Sequence, residues 1–232
     1  MKYLQFIIFQ LKLKFLKKVR RHPGKLQMTN SSVDRTNQSD SWKIVILIFL
    51  RFGFGIPAIF FATIIVCGFI LGDYSHLSRL VSELGALGTS SRTVFSTGML
   101  LCSLLSVFFV IGLYRTCKSN GMNTLPAVII LSFSVSIAGA AIFPLPMRMH
   151  LIMGMPSVFM VLSPLLGIFL WNKTPHLPYF KSMSFLALFI MSLGFLAFDP
   201  NLFIGYAGLK QRLFHAGWSI WFFYLSYGFS QL

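Results

Sequence analysis

Glu83, Arg212 and the histidines His76, His150 and His215 are the side chains with the widest chemical reach in this sequence. Glu83 is one of only five carboxylates among 232 residues; the others are Asp34, Asp40, Asp73 and Asp199. An arginine set beside a carboxylate and an amide suits recognition of phosphate or carboxylate, because the guanidinium fork binds such oxygens in pairs. On that reading Arg212 and Arg79 meet a small anion or a polar lipid headgroup. Glu83 and Gln211 orient the pocket, and Ser82, His150, His215 and Trp218 complete it. The rival reading is architectural: Glu83 pairs with Arg79 one turn back, or with Arg212 from another helix.

His76, His150 and His215, with Glu83 or Asp73, suit a second chemistry. A zinc ion held by them would activate water against a lipid ester or amide. The spacing argues against it, since none of the three has an i,i+4 partner and no H-E-x-x-H occurs. A Ser82 nucleophile with a histidine base is weaker, because no nucleophile-elbow glycines flank it. No catalytic residue is therefore assigned and no cofactor is expected. A scaffold without small-molecule chemistry is the third alternative.

The elements that must position these groups follow from composition. The chain is 56% hydrophobic and only 11% charged, too little charge to cover a soluble domain. Several apolar runs reach the roughly 20 residues that cross a bilayer. The expected fold is an all-α polytopic membrane bundle of six transmembrane helices. They fall at about 42–71, 93–114, 124–145, 149–171, 182–198 and 213–227, which makes 43–232 the membrane domain. Gly98, Cys102 and Ser106 form a small-residue seam on the second, and Ser132, Ser136 and Gly139 or Ala140 another on the third. Cys67, Cys102 and Cys117 have no metal spacing and read as packing residues.

Net charge is +15, and ten of the twenty Lys and Arg precede residue 44. Residues 1–42 form a basic tail: an amphipathic anchor over 1–21, then a polar linker over 22–42 expected to be disordered. A basic tail before a membrane domain meets anionic lipid headgroups, and no recognition fold accompanies it to suggest nucleic acid. A start at Met28, which would remove the anchor, is the competing reading. Positive charge stays cytoplasmic, so both termini face the cytoplasm across an inner membrane. If so, Asp73, His76, Glu83, Arg148, His150, Asp199, Arg212 and His215 all gather at the outward ends of the helices. In the first outward loop, 75–84 reads as a short interfacial helix. Leu77, Leu80, Val81 and Leu84 make its apolar face, Asp73 or Ser75 caps it, and Gly85 is the left-handed residue past its end. On the fourth helix His150, Gly154 and Ser157 share a face beside Pro156. On the sixth Gln211, His215, Trp218 and Ser219 share another. An outward-opening polar pocket satisfies them together.

Ser82-Glu83-Leu84-Gly85-Ala86 with Phe95 and Gly98, Phe143-Pro144 with His150, and Gly208-Leu209, Gln211-Arg212 and Trp218 resemble the domain-of-unknown-function 998 family. These are six-helix membrane proteins, and the likeness covers about 51–229. The chain departs at Ser96, where the family commonly has Asn, and at Pro146 and Met147, where it commonly has an acid. The layout is also similar to damage-regulated autophagy modulator and Frag-type membrane proteins, some of them linked to lipid handling. The resemblance implies the fold and the outward motif cluster, with no activity attached.

Overall fold

The computed structural model describes residues 30–171, 177–199 and 201–232, with side chains from Ser41 onward. The amphipathic reading of 1–21 and the first part of the linker lie outside the described residues. The chain divides into two units, Met1–Trp42 and Lys43–Leu232. Among the described residues there is helix and no strand. The helices are α1 (Asn30–Leu71), α2 (Arg92–Ser119), α3 (Leu125–Ile142), α4 (Arg148–Leu170), α5 (Phe180–Phe198) and α6 (Ala207–Phe229). The stretch from Asn30, expected to be disordered, is instead the start of α1. A polar sequence takes up helix readily when it extends one already formed, because only nucleation is costly.

Five segments are long and apolar enough to cross a membrane: Ser41–Leu71 of α1, and α2 to α5. In hydrocarbon every backbone N–H and C=O must pair within its own segment, which is why such runs become helix whatever their propensity. Breaks occur where the sequence demands them. Gly72, at φ +74°, ends α1 with its N–H on the Gly68 carbonyl. Pro156 cannot continue the α ladder, and Met155–Val161 tightens into 3-10 turns. The Gly154 carbonyl accepts from the Ser136 and Ser157 hydroxyls instead, both at 2.7 Å.

Within the second unit, packing uses the small seams. On α2, Gly98 admits Thr63 of α1, Cys102 turns its thiol toward the Ile56 carbonyl, and Ser106 accepts from Ser134 of α3. On α3, Gly139 admits Met153 of α4. The α6 helix runs through the centre. Trp218, Trp221, Phe222, Leu225 and Phe229 are buried, and Ser226 donates to the Leu50 carbonyl of α1. Cys67, Cys102 and Cys117 are buried free thiols. Outer faces stay apolar: Phe69 is 81% exposed and Phe189 63%, the condition of a surface that meets lipid.

The 75–84 stretch is not an α-helix. Turns occupy its first half, and only Val81–Gly85 winds, as a 3-10 helix. Its apolar residues therefore do not share one face: Leu77 is 54% exposed, whereas Val81 and Leu84 are buried in the bundle. Nor is Gly85 left-handed. Its missing side chain admits the Phe95 ring, and the positive φ falls at Gly88.

Candidate functional site

Two sequence motifs turn out to be each other's partners. The loop between α1 and α2 docks on the first turns of α6, and each residue of the 208–212 motif except Lys210 has a part in it. Gly208 lets the loop backbone approach: a methyl there would run into the Arg79 carbonyl, and would lie 2.8 Å from the His76 carbonyl. The Leu209 N–H donates to the Leu77 carbonyl at 2.9 Å. Gln211 accepts the Val81 N–H at 2.7 Å. Arg212 donates from Nη1 to the Arg79 and Gly208 carbonyls, both at 3.0 Å, and from Nη2 to the Tyr74 hydroxyl at 2.8 Å and His76 Nδ1 at 3.1 Å. Its Nε is buried without a partner among the described residues. Burial, the dominant effect, holds the Tyr74 phenol above its ordinary pKa, so its O–H stays a donor to the Arg79 and Leu80 carbonyls.

Glu83 belongs to the same latch. One carboxylate oxygen accepts from Arg79 Nε at 2.8 Å and the other from the Leu80 N–H at 2.8 Å, which caps the 3-10 turn. Asp73 is exposed, 3.7 Å from Arg79. The Glu83–Arg79 pair is the architectural alternative raised by the sequence. Both partners are about a third exposed, so water and salt screen the pair and it adds little to stability.

His76 is the group through which acid is expected to loosen the latch. A guanidinium only donates, so His76 Nδ1 must be the acceptor. Burial first, and the Arg212 charge second, push the His76 pKa below its usual 6.5. The unfolded chain takes up a proton near that value while the folded one resists, so this stabilisation is complete above it and is lost as pH falls below it. Thermal unfolding in detergent is expected to weaken more steeply from about pH 7 to about pH 5 in the wild type than in His76→Gln, whose amide oxygen still accepts. Equal slopes would rule His76 out as the sensor.

Inside the latch lies a cavity of about 370 Å³, walled by α1 to α6 and roofed by Leu80, Val81 and Ser82. Of the residues proposed from sequence, Ser82, His150, Gln211, His215 and Trp218 line it; Glu83 and Arg212 do not. Arg212 lies outside this lining, and both of its terminal nitrogens are bonded to loop groups. The zinc arrangement is also absent: His76 faces Arg212, and among the described residues no three of His, Cys, Asp and Glu gather as metal ligands. His150 Nδ1 lies 2.7 Å from the Phe143 carbonyl and ties the Phe-Pro corner to α4; Leu87 N–H holds the Leu145 carbonyl beside it. Trp218 Nε1 donates to His215 Nδ1 at 3.0 Å, and Ser219 donates to the His215 carbonyl, outside the cavity wall.

Sequence reading missed several participants. Tyr74 anchors the latch but looks like an ordinary loop aromatic. Phe60 and Phe133 wall the cavity beside the motif residue Phe95, and 26 Phe in one chain offer no means of picking those two out. Lys210 is buried, with Nζ donating to the Asp199 and Leu202 carbonyls at 2.7 Å each. Its position inside G-L-K-Q-R was the available signal.

Packed helices, five of which could each cross a bilayer, with polar latch and cavity at one end, define a multi-pass membrane protein. The family described as "Protein of unknown function (DUF998)" matches residues 55–227, and the chain belongs to it. Both latch motifs lie within the matched region. No curated protein matches the chain, and no solved structure does.

Proposed function

We propose that this protein binds or moves an amphipathic lipid through the cavity beneath the latch, with the chain of the lipid inside and any charged headgroup outside. One observation carries the reading: among the described residues, the cavity lining contains no Asp, Glu, Lys or Arg. A charged group drawn into it would lose its water without a counter-ion, at a cost of several kcal/mol. The proposal thus keeps the lipid expected from the sequence and drops the small anion. The volume lies in the range of small-molecule sites. Three of the lining residues, Leu151, Met155 and Phe198, are at least half exposed, so an apolar rim faces the bundle's outer surface.

The membrane arrangement completes the proposal. As a helix of 23 residues α6 is about 34 Å long, enough for a sixth crossing. Its polar residues Ser219, Ser226 and His215 are buried among the other helices, which lowers its hydropathy without exposing them to lipid. Six crossings put both termini on one side. The basic N-terminal segment makes that side the cytoplasm of an inner membrane, with anionic lipid as its contact.

Gly154 offers the test, since a Cβ built there meets nothing within 4 Å and the residue lines the cavity. Gly154→Phe is expected to fill the space while the protein still folds. Lipid mass spectrometry of protein purified in mild detergent should find near-stoichiometric acyl lipid on the wild type and at least about tenfold less on the variant, as for loss of most apolar contact. Equal retention by both would defeat the proposal.

A further inference from the structure

The hydrogen-bonding state of His215 narrows what the cavity takes. His215 is 9% exposed and lines the cavity, and its Nε2 is buried with no partner among the described residues. An indole N–H can only donate, so the bond from Trp218 Nε1 makes His215 Nδ1 the unprotonated nitrogen. The ring proton then sits on Nε2. A buried N–H donor without an acceptor costs roughly 1–3 kcal/mol in a folded protein, and few are left that way. His150, which also lines the cavity, has the reverse arrangement. The Phe143 carbonyl can only accept, so Nδ1 carries a proton, and in the Nδ1–H tautomer Nε2 is an acceptor.

We infer that the cavity selects a lipid bearing an uncharged oxygen acceptor, an acyl-ester carbonyl, which takes the hydrogen bond from His215 Nε2–H, together with a hydroxyl that can donate to His150. This rests on the lipid reading above and specifies the chemistry of the molecule. A carbonyl accepts the bond that His215 offers and needs no counter-ion, which matches a wall free of formal charge. An alkyl chain alone would leave the N–H unanswered. A phosphate would answer it but would enter without a cation to meet it.

The probes are a monoacylglycerol and its alkyl-ether counterpart, identical except that the ether lacks the carbonyl. Binding to full-length protein in a maltoside detergent is followed by native mass spectrometry. The wild type is expected to bind the ester about tenfold more tightly, the effect of one well-made buried hydrogen bond. His215→Phe should bind both equally. His215→Gln should restore the preference, because its amide can accept from Trp218 and donate to the ester. Equal affinity of the wild type for ester and ether, or a preference unchanged in His215→Phe, would overturn the inference and leave the lipid reading standing. Binding of neither probe would overturn both. Should His215→Phe fail to fold, the wild-type comparison and His215→Gln decide alone.

Discussion

Arg212→Met is expected to release the α1–α2 loop from α6 and to lower stability by roughly 3 kcal/mol, since several charge-assisted bonds go and their acceptors stay half-buried. Four partners are lost at once: the Arg79 and Gly208 carbonyls, the Tyr74 hydroxyl and His76 Nδ1. For a chain of this size that is a fall of roughly 6–12 °C in the midpoint of thermal unfolding in detergent. Arg212→Lys should recover only part of it, because an ammonium cannot span partners set around a planar fork. An unshifted midpoint for Arg212→Met would mean that the loop is held by Gln211 and Leu209 without it.

Trp218→Ala is the other large effect, roughly 3–5 kcal/mol. The indole is completely buried, with ring centroids of Phe133 at 4.5 Å and of Phe60 and Phe222 at 5.2 Å each. In a membrane the alternative to this contact is lipid rather than water, so close packing carries most of the stabilisation and a void forfeits it. Trp218→Phe keeps most of the ring contact and removes the N–H, leaving His215 Nδ1 without its donor. It should cost less than half as much. Equal losses in the two variants would assign the effect to the hydrogen bond and not to the ring.

Both predictions begin at residues that the sequence had already singled out, but for different reasons. From the sequence Arg212 reads as an anion receptor, because arginine beside glutamate and glutamine has that capacity. In the structure its partners are chiefly loop groups 133 to 138 positions away, the Arg79 carbonyl among them. Backbone acceptors leave no trace in a pattern of side-chain types. Glu83 takes the architectural reading, pairing with Arg79, but half of its work is to cap the Leu80 N–H, another contact with no side-chain signature.

What the sequence alone determined is the membrane class, the family, the helix positions and the face of α4 that carries His150, Gly154 and Ser157. These follow from hydropathy, from helical spacing and from motif order, all properties of the linear chain. Only the tertiary structure decided that the S-E-L-G and G-L-x-Q-R motifs bind each other, that 75–84 is turn and 3-10 helix, and that His215 is left holding an unanswered proton. Each of those depends on which carbonyls, rings and glycines meet across the bundle, and a contact between distant segments exists only once the chain has folded.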